Sequence, residues 1–176
     1  MLILALDISS VGTGFCFIED GKINGIYGVI APDKKLNLGA KLLYFEQEIK
    51  KLIIQYKPDD IIVEDIFCFN KVSFKCLAEY RGVAFKIIYE LTGKDPYSVM
   101  AVEARKIMGV GSKKQDAFNG IIKICNLKGF DFDRDNDIVD SFCLGLAYDK
   151  ILSNSVMNVK KNTKKNKCRK IRKKKS

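Results

Sequence analysis

The sequence predicts an α/β domain in which helices flank a five-stranded mixed sheet. Two observations carry that prediction: short apolar runs of strand length, and longer stretches whose apolar residues recur every three or four positions. Their order is the third. Three strands come first, then helix, strand, helix, strand and further helices, the succession expected of a layered α/β architecture.

Leu2–Leu6 is a short apolar run of the kind a buried central strand shows. Gly12–Glu19 reads as a second strand, with Asp20-Gly21 as a hairpin turn into a third near Ile26–Ile30. Leu38, Leu42, Phe45, Ile49, Leu52, Ile53 and Tyr56 form the stripe of an amphipathic helix. Lys57-Pro58 ends it, because a residue before proline avoids the helical region. Asp60–Ile66 is another buried strand, Val72–Leu91 a second long helix closed by Gly93, and Tyr97–Val102 a fifth strand. Lys113–Leu127 and Asn136–Leu152 follow as helices, parted by Gly129 and an Asp-rich stretch.

The 176 residues suit one domain with an appendage, expected at 1–153 and 154–176. The net charge of +10 is concentrated in that appendage. Lys160–Ser176 holds eleven Lys or Arg and no acid; removing them from the 31 leaves 20 basic against 21 acidic groups, a net of −1. So basic a tail, with so little apolar content, is expected to be disordered when free. Lys164, Lys165, Arg169 and Arg172 read as a polyphosphate-binding arm whose contacts release counterions. The blander reading is a solubilising tail or a nuclear address.

Cys16, Cys68, Cys76, Cys125, Cys143 and Cys168 form no Cys-x-x-Cys pair, and the chain has no histidine, so a structural zinc site is not expected. The apolar run before Asp7 is too short for a signal-peptide core, and no stretch is long enough to span a bilayer. Free thiols, a cytoplasmic location and no membrane partner are expected.

The chemistry lies in the carboxylates. Asp7 ends the first strand, Glu64 sits near the end of the fourth, and Asp137 with Asp140 opens the last helix. Neighbouring strand ends of an open α/β sheet converge on one crevice. Asp137 and Asp140 lie one helical turn apart and share a face. An acid directly after apolar strand residues is costly to bury without a partner, which favours cation ligation by Asp7 over a turn-forming role. The same holds at the fourth strand, where alternation allows Glu64 or Asp65 to face the crevice, not both. Asp137 has a competing explanation in the helix dipole, and Asp131, Asp133 and Asp135 read as caps or solvated loop acids. A carboxylate cluster of this kind repels itself unless cations occupy it. Two Mg²⁺ ions about 3.5–4 Å apart would then serve an in-line phosphoryl displacement without histidine or a covalent nucleophile.

Five segments in order resemble the RuvC-type Holliday junction resolvases of the RNase H-like superfamily. They are LALDISSVGTGF (Leu4–Phe15), IIVEDIFCFN (Ile61–Asn70), CLAEYRGVAF (Cys76–Phe85), ARKIMGVGSKKQ (Ala104–Gln115) and NDIVDSFCLGLAY (Asn136–Tyr148). The resemblance implies an RNase H-like fold and a homodimer that places paired nicks across a four-way junction, leaving 5′-phosphate and 3′-hydroxyl ends. It implies Asp7, Glu64, Asp137 and Asp140 as ligands of two Mg²⁺ ions, with Mn²⁺ as a substitute and no small-molecule cofactor. A lysine near the scissile phosphate falls on Lys106, Lys113 or Lys114, with Lys114 first in line, and Phe67 is the aromatic that wedges against a base. Arg81, Arg105, Lys106 and Lys113 are phosphate contacts or solvated helix charges. Ser141 departs from the family's usual Ala, and Cys143 stands where some members have His. Gly12 and Gly14 ease a turn or admit a phosphate.

The compact size and basic tail suit a phage or viral member acting in a host's cytoplasm or nucleoid. An RNA-processing nuclease would use the same acids. A sugar-kinase or actin-like ATPase shares the opening motif but needs a second domain, and a silent junction binder has no need of four acids.

Overall fold

The computed structural model describes residues 1–65 and 71–172, without the side chains of 71–73 and 156–172. Ten elements follow in order: β1 (Leu2–Asp7), β2 (Thr13–Glu19), β3 (Lys22–Ile30), α1 (Leu38–Tyr56), β4 (Asp60–Asp65), α2 (Lys71–Thr92), β5 (Tyr97–Met100), α3 (Ala101–Met108), α4 (Lys114–Ile124) and α5 (Phe132–Arg172). The strands form one sheet in the order β3-β2-β1-β4-β5, antiparallel across β1–β2–β3 and parallel across β1–β4–β5.

The local signals act where the sequence places them. Asp20 and Gly21, both at positive φ (49° and 76°), turn β2 back into β3. Asn37 caps α1 by accepting from the Ala40 N–H at 2.9 Å, and Lys57 closes it in the left-handed region with its N–H on the Ile53 carbonyl. Several boundaries differ from expectation. Strand β3 begins at Lys22 rather than near Ile26, because a register shift between Cys16 and Ile18 and Gly25 at φ 90° carry the ladder past Asn24. Strand β5 stops at Met100, and Ala101 and Val102 start a helix, α3, that the sequence reading did not foresee.

Another difference is the start of α5. Asp131 caps it, accepting from the N–H groups of Asp133 (3.1 Å) and Arg134 (3.3 Å), while Asp135 reaches back to the Asp131 N–H at 2.9 Å. The helix therefore begins at Phe132, four residues before the expected Asn136, and Asp137 and Asp140 lie in its second and third turns rather than at its opening. The helix runs on to Arg172, past the expected end at Leu152, while residues 173–176 of the basic tail and the side chains of 156–172 lie outside the described residues.

Two cores form, one on each face of the sheet. Ile3, Ala5, Cys16, Ile18 and Ile62 pack against α3, α4 and α5, whereas Leu4, Leu6, Phe17, Ile61 and Val63 pack against α1 and α2. Each fully buried large apolar side chain contributes about 1.5–3 kcal/mol, so both faces anchor the plate. The α5 contact is unusually close. A Cβ on Gly14 would stand 1.9 Å from the Asp137 carbonyl oxygen, and one on Gly145 would stand 2.6 Å from Ile18 Cγ1. Gly14 is therefore a packing glycine between β2 and the α5 backbone, which replaces the phosphate-approach reading.

Gly14→Ala should lower unfolding stability by about 1–3 kcal/mol or more, because backbone rather than a flexible side chain must yield. Gly82→Ala meets nothing within 4 Å in mid-helix and should leave stability unchanged or raise it by about 0.5–1 kcal/mol. Chemical denaturation of the two variants checks the contrast.

Candidate active site

The alternation of strand side chains builds the site. Ile3 and Ala5 of β1 face α5, so Asp7 faces it as well; Ile62 of β4 does the same, so Glu64 follows. The parallel register pairs Ala5 with Ile62 and Leu6 with Val63, which makes Asp7 and Glu64 the next neighbours along. The two carboxyls lie close enough to share one proton in a hydrogen bond. Burial, that bond, the charge of Glu64 and then the charge of Asp140 push the Asp7 carboxyl well above the usual carboxylate range. Lys114 pulls the other way.

Helix α5 supplies the opposing wall. Asp140 pairs with Lys114 Nζ at 3.1 Å and with Arg105 Nη2 at 3.5 Å, and Asp137 pairs with Lys114 Nζ at 3.6 Å. Burial works against the charge of Lys114, yet Asp140, Asp137 and Asp7 outweigh it and raise the ammonium's pKa. Arg105 also donates to the Ser112 carbonyl at 3.1 Å, which ties α3 to the loop before α4. Asp7, Glu64, Ala101, Ala104, Arg105, Asp140, Cys143 and Leu144 line a cleft with room for about one water molecule (≈ 10 Å³). That suits a small ion or a water.

Of the expected site residues, Asp7, Glu64, Asp140, Lys114 and Arg105 come together here, with Asp137 reached through Lys114. Among the described residues, no three Asp, Glu or Cys side chains are placed so that they could hold a metal ion as they stand. Lys106 and Lys113 are exposed on α3 and at the start of α4. Phe67 lies outside the described residues, as do the side chains of Lys164, Lys165, Arg169 and Arg172. Arg81, expected as a phosphate contact or a solvated charge, has its guanidinium engaged on the other face of the sheet, at the end of β4. Asp131 and Asp135, left open between caps and loop acids, belong to the α5 cap, where Arg134 pairs with Asp135 at 2.7 Å.

The donor set fits a hard divalent cation. Its oxygens are carboxylates from β1, β4 and α5; imidazole is absent from the chain; and burial, then the charge of Asp140, pushes the Cys143 thiol up to about 12, so it stays protonated. Residues 3–147 match the family model described as crossover junction endodeoxyribonuclease RuvC. The chain belongs to this family of endonucleases.

A RuvC relative from Dictyoglomus thermophilum is 24% identical over 154 residues, covering 84% of this chain and 96% of the relative. Another, from Syntrophomonas wolfei, is 34% identical over 88 residues, 47% of this chain and 51% of the relative. The solved structure of T. thermophilus RuvC in complex with a Holliday junction substrate superposes with a TM-score of 0.71 at 13% identity, covering 84% of this chain and 91% of that one. The RNase H-like expectation is borne out, and RuvC membership sets aside the kinase- and actin-like alternatives. No described helix is long and apolar enough to cross a membrane.

A carboxyl whose pKa folding has raised gives stability that is full below the ordinary aspartate value of ~4 and lost as pH rises through the raised value. In chelator, Asp7→Asn should therefore melt above the wild type at neutral pH, with the gap closing on acidification. Melting curves across that pH range test this, and equal melting at neutral pH would count against a strained Asp7.

Proposed function

We propose that this chain is a structure-selective endonuclease that acts as a homodimer on branched DNA, four-way junctions above all, in the cytoplasm. Paired nicks would come from hydrolysis of one phosphodiester per subunit. The observation carrying this reading is the convergence of Asp7, Glu64 and Asp140 from β1, β4 and α5 around a one-water cleft, with Lys114 beside Asp140 and Asp137. The Holliday junction bound to the T. thermophilus structure supplies the substrate class.

Asp7, Glu64, Asp137 and Asp140 would hold two Mg²⁺ ions, or Mn²⁺ in their place. Bound there, such ions supply an activated water and stabilise the leaving oxygen. The rest is the work of the chain. Strands β1 and β4 hold Asp7 and Glu64 on a plate buried on both faces, which fixes their spacing before substrate arrives. Lys114, paired with both α5 acids, would offer its ammonium to the scissile phosphate. Arg105 holds Asp140 against α3. Exposed Lys106 and Lys113 offer phosphate contacts, and Phe67 is the candidate base wedge. Lys164, Lys165, Arg169 and Arg172 in the basic extension add charge that is indifferent to base sequence.

Asp7→Asn should abolish Mg²⁺-dependent nicking while leaving junction binding largely intact. Purified protein with Mg²⁺ against junction, fork, duplex and RNA–DNA hybrid substrates is the deciding assay. Cutting of the hybrid but not the junction would move the substrate to RNA, and full activity of the variant would remove Asp7 from the chemistry. Deleting Lys160–Ser176 should weaken junction binding at moderate salt more than it slows turnover. The slope of log Kd against log salt should shrink by roughly 0.9 for each phosphate that the shortened chain leaves unneutralised. An unchanged slope would make the extension a bystander.

A further inference from the structure

We propose that Arg81 is a positioning residue for Glu64. It grips the end of β4 from the face opposite the carboxylates and so aims the Glu64 side chain into the cleft. The inference deepens the nuclease reading above and rests on it.

The observations are geometric. Arg81 projects from α2 with its side chain 17% exposed. Its Nη1 donates to the Glu64 backbone carbonyl at 2.7 Å. Its Nη2 donates to Ser98 Oγ on β5 at 2.8 Å and pairs with Asp65 Oδ1 at 3.0 Å. The guanidinium carbon lies 4.5 Å from the ring centroid of Phe85, one turn further along α2. Three partners from two strand ends and one aromatic face thus converge on a single planar group.

The need for such a grip follows from the sheet. Glu64 and Asp65 are the last two residues of β4, paired only with Val99 and Met100 of the four-residue edge strand β5. A strand end of this kind frays unless something holds it. The Glu64 carbonyl and the Glu64 carboxylate share one Cα, so any tilt of that peptide swings the carboxylate away from Asp7. Arg81 fixes the carbonyl, while its bonds to Ser98 and Asp65 hold the neighbouring strand and the adjoining residue in step. Lysine cannot take this place. Its ammonium is a point donor without the rigid fork, and it stacks less well on an aromatic ring. Arg81's donors are committed within the fold, which separates it from exposed Lys106 and Lys113 on the substrate side.

The test uses the full chain carrying Arg81→Lys, Arg81→Gln or the milder Ser98→Ala, which removes one partner only. Three quantities are measured: kcat for nicking at saturating junction, the junction Kd and its salt slope in chelator, and the Mn²⁺ concentration giving half of the thermal stabilisation without DNA. A misplacement of about 1 Å costs roughly 10²-fold in rate. Arg81→Lys should therefore lower kcat by about 10- to 100-fold and demand more Mn²⁺, with Kd and salt slope within about twofold of wild type. Ser98→Ala should shift the same two quantities less, and it decides the matter with Arg81→Lys if Arg81→Gln fails to fold. A lower melting temperature with unchanged kcat and Mn²⁺ midpoint would reduce Arg81 to scaffolding and overturn the proposal. A weaker Kd with a shallower salt slope would overturn it in favour of a DNA contact. If the wild type itself nicks no junction, the nuclease reading fails, and the Mn²⁺ midpoint still decides whether Arg81 orders the acid pair.

Discussion

The arrangement depends on a carboxyl pair forced together on one face of a buried sheet. Asp7 and Glu64 have no freedom to avoid each other: the two-residue alternation of each strand and the parallel register of β1 with β4 set them side by side. Their repulsion and the desolvation of Asp7 are a standing cost, visible in the raised Asp7 carboxyl. Lys114 and Arg105 relieve part of the charge on the α5 side. The remainder is offset by apolar packing that begins one residue behind each acid, at Leu6 and Val63, and continues through Ala5 and Ile62. A site strained in this way is the usual trade of stability for function.

The sheet also divides labour between its faces. One face carries the acids, and α5 lies so close to it that Gly14 and Gly145 have no room for a side chain. The other face carries Asp65 and Ser98, and there α2 presents Arg81. Adjacent residues of β4 therefore serve opposite purposes, Glu64 facing the cleft and Asp65 facing the clamp. A single strand end becomes a lever with a working side and a fixed side.

Much of this was legible in the sequence because its causes are local. The apolar run ending in Asp7, the Asp20-Gly21 turn and the stripe of α1 each write their geometry into consecutive residues. Alternation alone left Glu64 and Asp65 open, and it took the packing of Ile62 against α5 to choose between them. What escaped has causes distant in the chain. Helix α3 was hidden because Ala101 and Val102 prolong the apolar run of β5. The start of α5 was missed because an Asp-rich stretch reads as a loop until Asp131 and Asp135 are seen to bond each other's neighbourhood. Gly14 looked like a turn or phosphate glycine, yet the group that excludes a side chain there belongs to Asp137. Arg81 reads as a phosphate contact or a solvated charge, since nothing near it in sequence announces Glu64 or Ser98.

Helix α5 follows every other element in the chain, and it supplies both Asp140 and the buried Phe142, Ala147 and Tyr148 of the core. The third carboxylate of the cleft and a closed interior thus arrive together when α5 docks on the sheet. A nascent polypeptide that has not yet reached α5 carries Asp7 and Glu64 without Asp140 and with that face of the sheet uncovered. The order of elements ties the last acid of the cleft to the closing of the core.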